Sequence, residues 1–249
     1  MEKDNELVRV VEYFKEALDE LKYKNRFSNE KLDDIVTALT SESSNTQEFN
    51  RIRLYRARKY TEPDAVARYK NPSDPPFQGY DEKNSFVNPK GIEGRCNPQF
   101  IAYLYAANTV DCCIAEIHPG IDQVISVAEI VAIQPLKILR LSKTFAISSG
   151  KSIIQNVPDS TTILYLQNLF SKPHSEDGDY LLTQYLSEKI KGQGFDGISF
   201  FSSVYKDQAK NNRNINFTIF NYNKCKAVSS ELYKVDAIKL SISRSTEKV

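Results

Sequence analysis

The sequence predicts an α+β fold, in which a mixed or antiparallel sheet is flanked by helices and preceded by a helical N-terminal segment. Two observations carry this prediction. From residue 51 onward, turn-forming residues separate short runs rich in Ile, Val, Leu, Phe and Tyr, a pattern typical of strands, at 51–57, 100–106, 124–133, 136–141, 197–201 and 216–220. Helical stretches lie between these runs, at 161–170 and 180–190.

The N-terminal segment is predicted to be helical because apolar residues recur at helical spacing, namely Leu7, Val11, Phe14, Leu18 and Leu21. Ser28 is placed to cap a second helix, whose apolar side would hold Leu32, Ile35, Val36 and Leu39. Residues 41–48 have the composition of a linker. We therefore predict an N-terminal helical segment at 1–48 and a main domain at 49–249. Packing on the main domain is the favoured role of this segment, and partner binding is the alternative.

The charge of the chain limits its partners. The formal net charge of the 249 residues is only +1, which argues against general binding to nucleic acid or to a membrane surface. Residues 1–48 carry 12 acidic and 7 basic side chains, so the rest of the chain has a net charge of +6. A mildly basic main domain suits a phosphate-bearing ligand, although a solvated mixed surface gives the same balance.

The cysteines and the N-terminus indicate the compartment. The four cysteines show neither CxxC spacing nor a paired histidine, so we expect reduced thiols and no metal site. The first ten residues lack the apolar core of a signal peptide, and no apolar run is long enough to span a membrane. We therefore expect a cytoplasmic protein. A long, polar, proline-rich segment at 71–91 is predicted to be a functional loop or a flexible lid.

The segment 94–119 concentrates functional residue types. Arg95 lies in a Gly-Arg-Cys-Asn-Pro loop, and a strand follows in which Ile101, Tyr103, Tyr105 and Ala107 share one face. Asn108 or Thr109 can then cap a short helix with an apolar stripe of Val110, Cys113, Ile114 and Ile117. Glu116 lies off that stripe. Short-range geometry thus brings an arginine, two aromatic residues and a carboxylate together, which suits a small anionic ligand that contains a ring.

The residues alone leave two interpretations for each candidate. Arg56 and Arg95 could each grip a phosphate with planar donors, or be ordinary solvated arginines. Tyr105 could face a ligand or fill the core with Tyr103. The surroundings of Ser202 do not resemble those of a hydrolase nucleophile, so a serine that orients a ligand or the glutamate is the better interpretation. Asn216 could bond across strands or bind a ligand.

Three separated motifs, in order, resemble the RES domain family. They are the arginine motif at 53–58, the block at 94–119 with Glu116 eleven residues after Tyr105, and the serine motif at 194–203 followed by a closing strand at 216–220. The resemblance implies an ADP-ribosyltransferase-like fold and a toxin-like enzyme of toxin–antitoxin systems that consumes NAD+. It assigns Arg56, Glu116 and Ser202 to catalysis, and we place Arg95, Tyr105 and Asn216 at the substrate.

The resemblance implies cleavage of the nicotinamide–ribose bond, with Glu116 stabilising the ribosyl cation and Arg56 and Arg95 holding the pyrophosphate. NAD+ is then the substrate; we expect no separate cofactor and no metal, and an antitoxin is an implied partner. The acceptor is water or inorganic phosphate. The alternatives are an ADP-ribosyltransferase that modifies a protein and a non-catalytic nucleotide-binding module. Phe100 and Phe201 depart from the family pattern, which has a glycine and a proline at these positions.

Overall fold

The structure is a computed structural model that describes residues 2–63, 65–87, 91–141, 154, 155, 157, 159–172, 180–205 and 214–238. These residues form one eight-stranded sheet with the strand order β1-β5-β6-β7-β3-β2-β4-β8. The pair β5–β6 is parallel and the other pairs are antiparallel. The strands are β1 Thr46–Phe49, β2 Arg53–Lys59, β3 Leu104–Ala107, β4 Val124–Ala132, β5 Leu136–Arg140, β6 Gly197–Phe201, β7 Ile215–Ile219 and β8 Cys225–Lys234. The predicted α+β class with a mixed sheet is confirmed.

The helices lie against this sheet. They are α1 Glu2–Tyr23, α2 Glu30–Ser41, α3 Ala65–Lys70, α4 Glu82–Ser85, α5 Val110–Glu116, α6 Asp159–Ser171 and α7 Tyr180–Gly192. The largest buried cluster joins α1, α2, α6 and α7 to the sheet through β5 and β6. A smaller cluster packs α5 against β2 and β4. The N-terminal helices thus share a core with the helices and strands of the main domain.

The buried face of α1 differs from the predicted one. Val10, Phe14, Ala17 and Leu21 are buried, whereas Leu7 is 50% and Val11 43% exposed. Both sets repeat at helical spacing, and Phe14 and Leu21 belong to both. Val10 and Ala17 complete the buried set, in which Phe14 packs on Tyr165 of α6 with ring centroids 4.6 Å apart. The apolar side predicted for α2 is buried as expected.

The cap of α2 is Asn29, and the prediction of Ser28 was wrong. The Asn29 side chain accepts a hydrogen bond from the backbone N–H of Leu32 (3.1 Å). Its Nδ2 donates to Glu20 Oε2 (2.9 Å), at the C-terminal end of α1. An amide both accepts and donates, so it can cap one helix while it ties that helix to another.

The segment 41–48, predicted to be a linker, is largely structured. Ser41 ends α2, a 3-10 turn spans Ser43–Asn45, and β1 pairs with β5 in the central sheet. Edge strands need little apolar character of their own because one neighbour supplies the pairing, which explains why composition concealed β1. The predicted division between residues 48 and 49 falls inside β1 and stays a prediction.

The long strand β8 was missed for a related reason. It lies at the other edge of the sheet, beside β4, and serines and charged residues interrupt its apolar residues. Residues of the proline-rich loop cover it: Phe77 forms a parallel bridge to Ser230, and the Gln78 N–H donates to the Ser230 carbonyl (2.8 Å). The described part of that loop is therefore attached to the sheet edge rather than free as a lid, and residues 88–90 lie outside the description.

The strand predicted at 100–106 begins only at Leu104. The Asn97 Nδ2 donates to the carbonyls of Ile92 (2.9 Å) and Ile101 (2.7 Å), which holds the chain in a compact loop. Phe100 lies in the left-handed region at φ 73°. A residue in that region breaks an extended strand, so pairing starts after it. As a consequence, Ile101 and Tyr103 do not share a strand face with Tyr105.

No helix among the described residues is long and apolar enough to cross a membrane. All four cysteines are buried and free.

Replacing Phe100 with glycine is expected to stabilise the fold. The side chain is 82% exposed, so little packing is lost. A left-handed conformation costs a residue with a Cβ about 1–2 kcal/mol, against about 0.5–1 kcal/mol for the greater chain entropy of glycine. We expect the free energy of unfolding, measured by urea titration, to rise by about 0.5–1 kcal/mol in Phe100→Gly. Phe100→Ala keeps the Cβ and should show no gain; an equal gain in both variants would contradict the argument.

Candidate active site

Glu116 is brought to the sheet by α5, which follows β3 directly. The side chain of Thr109 caps this helix by accepting a hydrogen bond from the Cys112 N–H (3.2 Å), as predicted for this position. Cys112 and Cys113 are buried on the side of α5 that faces the sheet. The predicted apolar stripe of this helix included Cys113 but omitted Cys112. In the seven-residue helix both cysteines are buried. Glu116 is the last residue of the helix and half-buried.

Two side chains hold one oxygen of the Glu116 carboxylate. The Ser202 hydroxyl donates to Oε1 (2.6 Å), and the Asn216 Nδ2 donates to the same atom (2.7 Å). Within the described part of the chain, both hydrogen bonds to this carboxylate go to Oε1. Oε2 is therefore the oxygen left for a ligand.

Backbone groups orient Ser202 at the end of β6. Its Oγ accepts hydrogen bonds from the N–H groups of Val204 (3.2 Å) and Tyr205 (3.1 Å), so its own proton is free to point at Glu116. The neighbouring Ser203 donates instead to the carbonyl of Ser171. The structure thus places Ser202, and not Ser203, at the glutamate.

Asn216 is fixed in the middle of the sheet. It lies in β7 between Ala107 of β3 and Phe200 of β6. The Cys112 thiol lies 3.5 Å from the Asn216 Oδ1 as a donor, which is consistent with the amide nitrogen pointing at Glu116. We expected Asn216 at the substrate; the structure adds a contact to the Glu116 carboxylate.

Arg56 lines the same cleft. Its side chain rises from β2, and one terminal nitrogen donates to the Tyr105 carbonyl (3.0 Å). Its Nε is buried and has no hydrogen-bond partner among the described residues. Burial, and secondarily the nearby Arg58 guanidinium, lowers the pKa of Arg56 to about 10. The group remains positively charged at neutral pH.

Arg95 is anchored by its guanidinium. Its two terminal nitrogens donate to the carbonyls of Phe170 and Lys172, at the C-terminal end of α6. Cations are favourable at this end of a helix, where carbonyl groups lack helical partners. Arg95 therefore lines the cleft with part of its hydrogen-bonding capacity already in use.

The hydroxyl of Tyr105 is occupied by the protein. It donates to Asn97 Oδ1 (2.6 Å) and accepts from the Cys96 N–H (2.9 Å). Burial raises the pKa of Tyr105 well above its usual value, so the hydroxyl stays protonated. The ring, rather than the hydroxyl, is then the part available to a ligand. Tyr103 is buried in the core with its hydroxyl donating to Glu188, as the packing interpretation predicted.

These residues surround a cleft of about 260 Å³. Five of the six predicted residues line it, and Ser202 lies behind Glu116, which it contacts. The sequence interpretation missed other wall residues, which are mostly apolar: Ala57, Ala106, Ala107, Cys113, Ile117, Tyr180, Phe200 and Phe217. All of them except Tyr180 lie within the segments that carry the motifs. The described residues contain no group of three or more His, Cys, Asp and Glu side chains placed to hold a metal ion.

Gly94 should tolerate no larger residue. A Cβ at Gly94 would lie 2.7 Å from Asn97 Oδ1 and 2.8 Å from the Tyr105 hydroxyl, crowding both atoms of their hydrogen bond from one side. We expect Gly94→Ala to lower the free energy of unfolding by about 1–3 kcal/mol in urea titrations. Gly120→Ala is the matched control, since a Cβ there meets nothing within 4 Å. Equal effects of the two substitutions would show that this crowding is unimportant.

Among comparisons with known proteins, the one with sequence models of families agrees with the motifs. Curated protein sequences give no match to the chain. Among solved structures, the chain is similar to one from the crystal structure of the M. tuberculosis MbcT–MbcA toxin–antitoxin complex, with a TM-score of 0.45, 11% identity, and coverage of 83% of this chain and 93% of that chain. The sequence model of the RES domain matches residues 53–242, which is more than half of the chain. The protein therefore belongs to the RES domain family.

Proposed function

We propose that this protein is a toxin-like enzyme that degrades NAD+ by cleaving the nicotinamide–ribose bond. The observation that carries the proposal is the Glu116 carboxylate, held at one oxygen by Ser202 and Asn216 and facing a cleft that also contains Arg56. Water as the acceptor gives glycohydrolysis, and inorganic phosphate gives phosphorolysis.

The single carboxylate suits this reaction. Departure of nicotinamide leaves positive charge on the ribose, and a carboxylate fixed beside the ring stabilises that charge without reorganising. Nicotinamide leaves as a neutral molecule, so no second carboxylate is needed as general acid, in contrast to most glycoside hydrolysis. The donors from Ser202 and Asn216 immobilise Oε1, and Oε2 is available to the ribose.

The arginines suit the phosphates. Charged donors bind phosphate oxygens strongly where water is excluded. Arg56 lines the cleft and is charged at neutral pH, so its guanidinium can bind a phosphate oxygen there. Arg95 lines the same cleft and adds positive charge.

The size of the cleft restricts which half of NAD+ it holds. Its volume of about 260 Å³ is below the roughly 300–1,000 Å³ of pockets that enclose whole drug-sized ligands. Tyr105, Phe200 and Phe217 supply aromatic walls for a flat ring. We place the nicotinamide riboside here, with the pyrophosphate at Arg56 and the adenosine outside.

A toxin of this kind needs restraint in the cell that makes it. We include an antitoxin protein among the proposed partners, on the basis of the family to which the chain belongs. Depletion of NAD+ would then account for toxicity.

Glu116→Gln should abolish the reaction while preserving the fold. We expect purified protein to release nicotinamide from NAD+, followed by chromatography, and kcat to fall by about 10²–10³-fold in this variant because charge stabilisation is lost. Ser202→Ala and Asn216→Ala should give smaller losses. Glu12→Gln, at an exposed position of α1, is the matched control and should retain full activity. Expression of the wild type should arrest growth, and Glu116→Gln should relieve the arrest.

The same assay identifies the acceptor of the ADP-ribosyl group, because nicotinamide release is measured with and without each candidate acceptor. Release of nicotinamide only after phosphate is added would identify a phosphorylase, and release only with a protein acceptor would identify an ADP-ribosyltransferase. Binding of NAD+ without release under all three conditions would identify a non-catalytic nucleotide-binding module and refute the proposal.

Anion binding should depend on the charge of Arg56. Since the pKa of Arg56 is lowered to about 10, its positive charge is present at neutral pH and is lost as pH rises through that value. We expect the affinity for ADP-ribose, measured by calorimetry from pH 8 to 11, to fall by about 10- to 100-fold over this range. Arg56→Gln should bind weakly without this dependence. An unchanged wild-type affinity at pH 11, with circular dichroism showing an intact fold, would contradict the assignment.

A further inference from the structure

The N-terminal half of α7 forms hydrogen bonds to the loop at residues 94–97, which carries Arg95. The Thr183 hydroxyl donates to the Arg95 carbonyl (2.5 Å). The Gln184 Nε2 lies within hydrogen-bonding distance of the carbonyls of Gly94 (3.0 Å) and Asn97 (3.2 Å). Two consecutive residues of one helix thus contact three of the four carbonyls between Gly94 and Asn97.

Gln184 is built into this contact. The side chain is buried, and its nitrogen is also 3.0 Å from Glu93 Oε1. An amide nitrogen has two hydrogens, which are shared here among three oxygen acceptors. A residue without a side-chain donor would remove one partner from each of these oxygens at a buried site, and the Asn97 carbonyl would keep only the Gly94 N–H (3.0 Å) among the described residues.

The loop in turn sets both ligand-facing groups. Asn97 accepts the hydrogen bond of the Tyr105 hydroxyl, and the Cys96 N–H donates to that hydroxyl. A shift of the loop backbone would therefore move the Tyr105 ring and the base of the Arg95 side chain together. Glu116 is held separately, by Ser202 and Asn216.

We propose that Gln184, with Thr183 beside it, is a positioning residue for substrate binding: it holds the Arg95 loop in the shape that presents Arg95 and Tyr105 to the substrate. This role rests on the proposed reaction with NAD+. We call the hydrogen bonds from Thr183 and Gln184 to this loop the clamp. The clamp acts on Arg95 and Tyr105 and not on Glu116 with its partners Ser202 and Asn216, so loss of the clamp raises KM and leaves kcat nearly unchanged.

The next residue of α7 provides a matched control. The Tyr185 hydroxyl accepts from the Asn29 N–H (2.7 Å) and donates to Asp33 (2.8 Å), both at the start of α2. Tyr185→Phe removes buried hydrogen bonds from the same helix without removing one to the loop. Any effect that follows from a weaker α7 alone should appear in this variant as well.

The experiment compares Gln184→Ala, Thr183→Val, Thr183→Ser and Tyr185→Phe in steady-state kinetics with NAD+. Gln184→Ala and Thr183→Val should raise KM by about 10- to 100-fold with little change in kcat, since misplacement of binding groups by about 1 Å has effects of this size. Thr183→Ser keeps the hydroxyl and should behave as the wild type. Thr183→Val preserves buried volume, so it tests the clamp even if Gln184→Ala does not fold.

Hydrogen exchange measured by mass spectrometry supplies a readout that needs no turnover. The amides of residues 92–101 should exchange faster in Gln184→Ala and Thr183→Val than in the wild type, and at the wild-type rate in Tyr185→Phe. Unchanged KM and unchanged exchange would overturn the inference, as would equal acceleration in Tyr185→Phe. If the wild type shows no turnover, the proposed function fails. The positioning role of Gln184 and Thr183 is then tested separately, by hydrogen exchange and by the affinity of the variants for ADP-ribose.

Discussion

The hydrogen bonds that converge on the Glu116 carboxylate organise the candidate site. They join residues 86 and 100 positions apart in the chain, from α5, the end of β6 and the middle of β7. This convergence requires β7 to pair with β3 on one side and with β6 on the other, since only then does Asn216 lie beside α5. The pairing of β7 with β3 and β6 therefore also positions the side chains of the candidate site.

Some polar groups of the candidate site have hydrogen-bond partners in the protein, and one buried donor has none among the described residues. Ser202, Asn216 and the Tyr105 hydroxyl have protein partners and are preorganised. The Nε of Arg56 is buried without a partner among the described residues, which costs about 1–3 kcal/mol in the free protein. The unpaired Nε is thus a cost to folding, whereas the hydrogen bonds of the other three groups fix their geometry.

Local patterns predicted those parts of the fold and site that depend on few residues. The apolar side of α2, the Thr109 cap and most strands followed from periodicity and capping chemistry. Sequence patterns failed where two local arrangements of the chain were equally favourable. Asn29 and Ser28 are both capping residue types, and only the contact of Asn29 with α1 selects it. The edge strands β1 and β8 were missed because a strand paired on one side needs little apolar sequence. Gln184 carried no signal, since its partners lie about 90 residues away.

The sequence by itself determined the fold class, the family and the residues that belong to its motifs, because short-range spacing and motif order are properties of the chain alone. Only the tertiary structure decided what each of those residues does. It turned the Tyr105 hydroxyl toward the loop, anchored Arg95 on α6, left the Nε of Arg56 free of protein partners among the described residues, and made Asn216 a donor to Glu116. The physical reason is that hydrogen-bond partners are chosen by proximity in space, and long-range strand pairing sets that proximity.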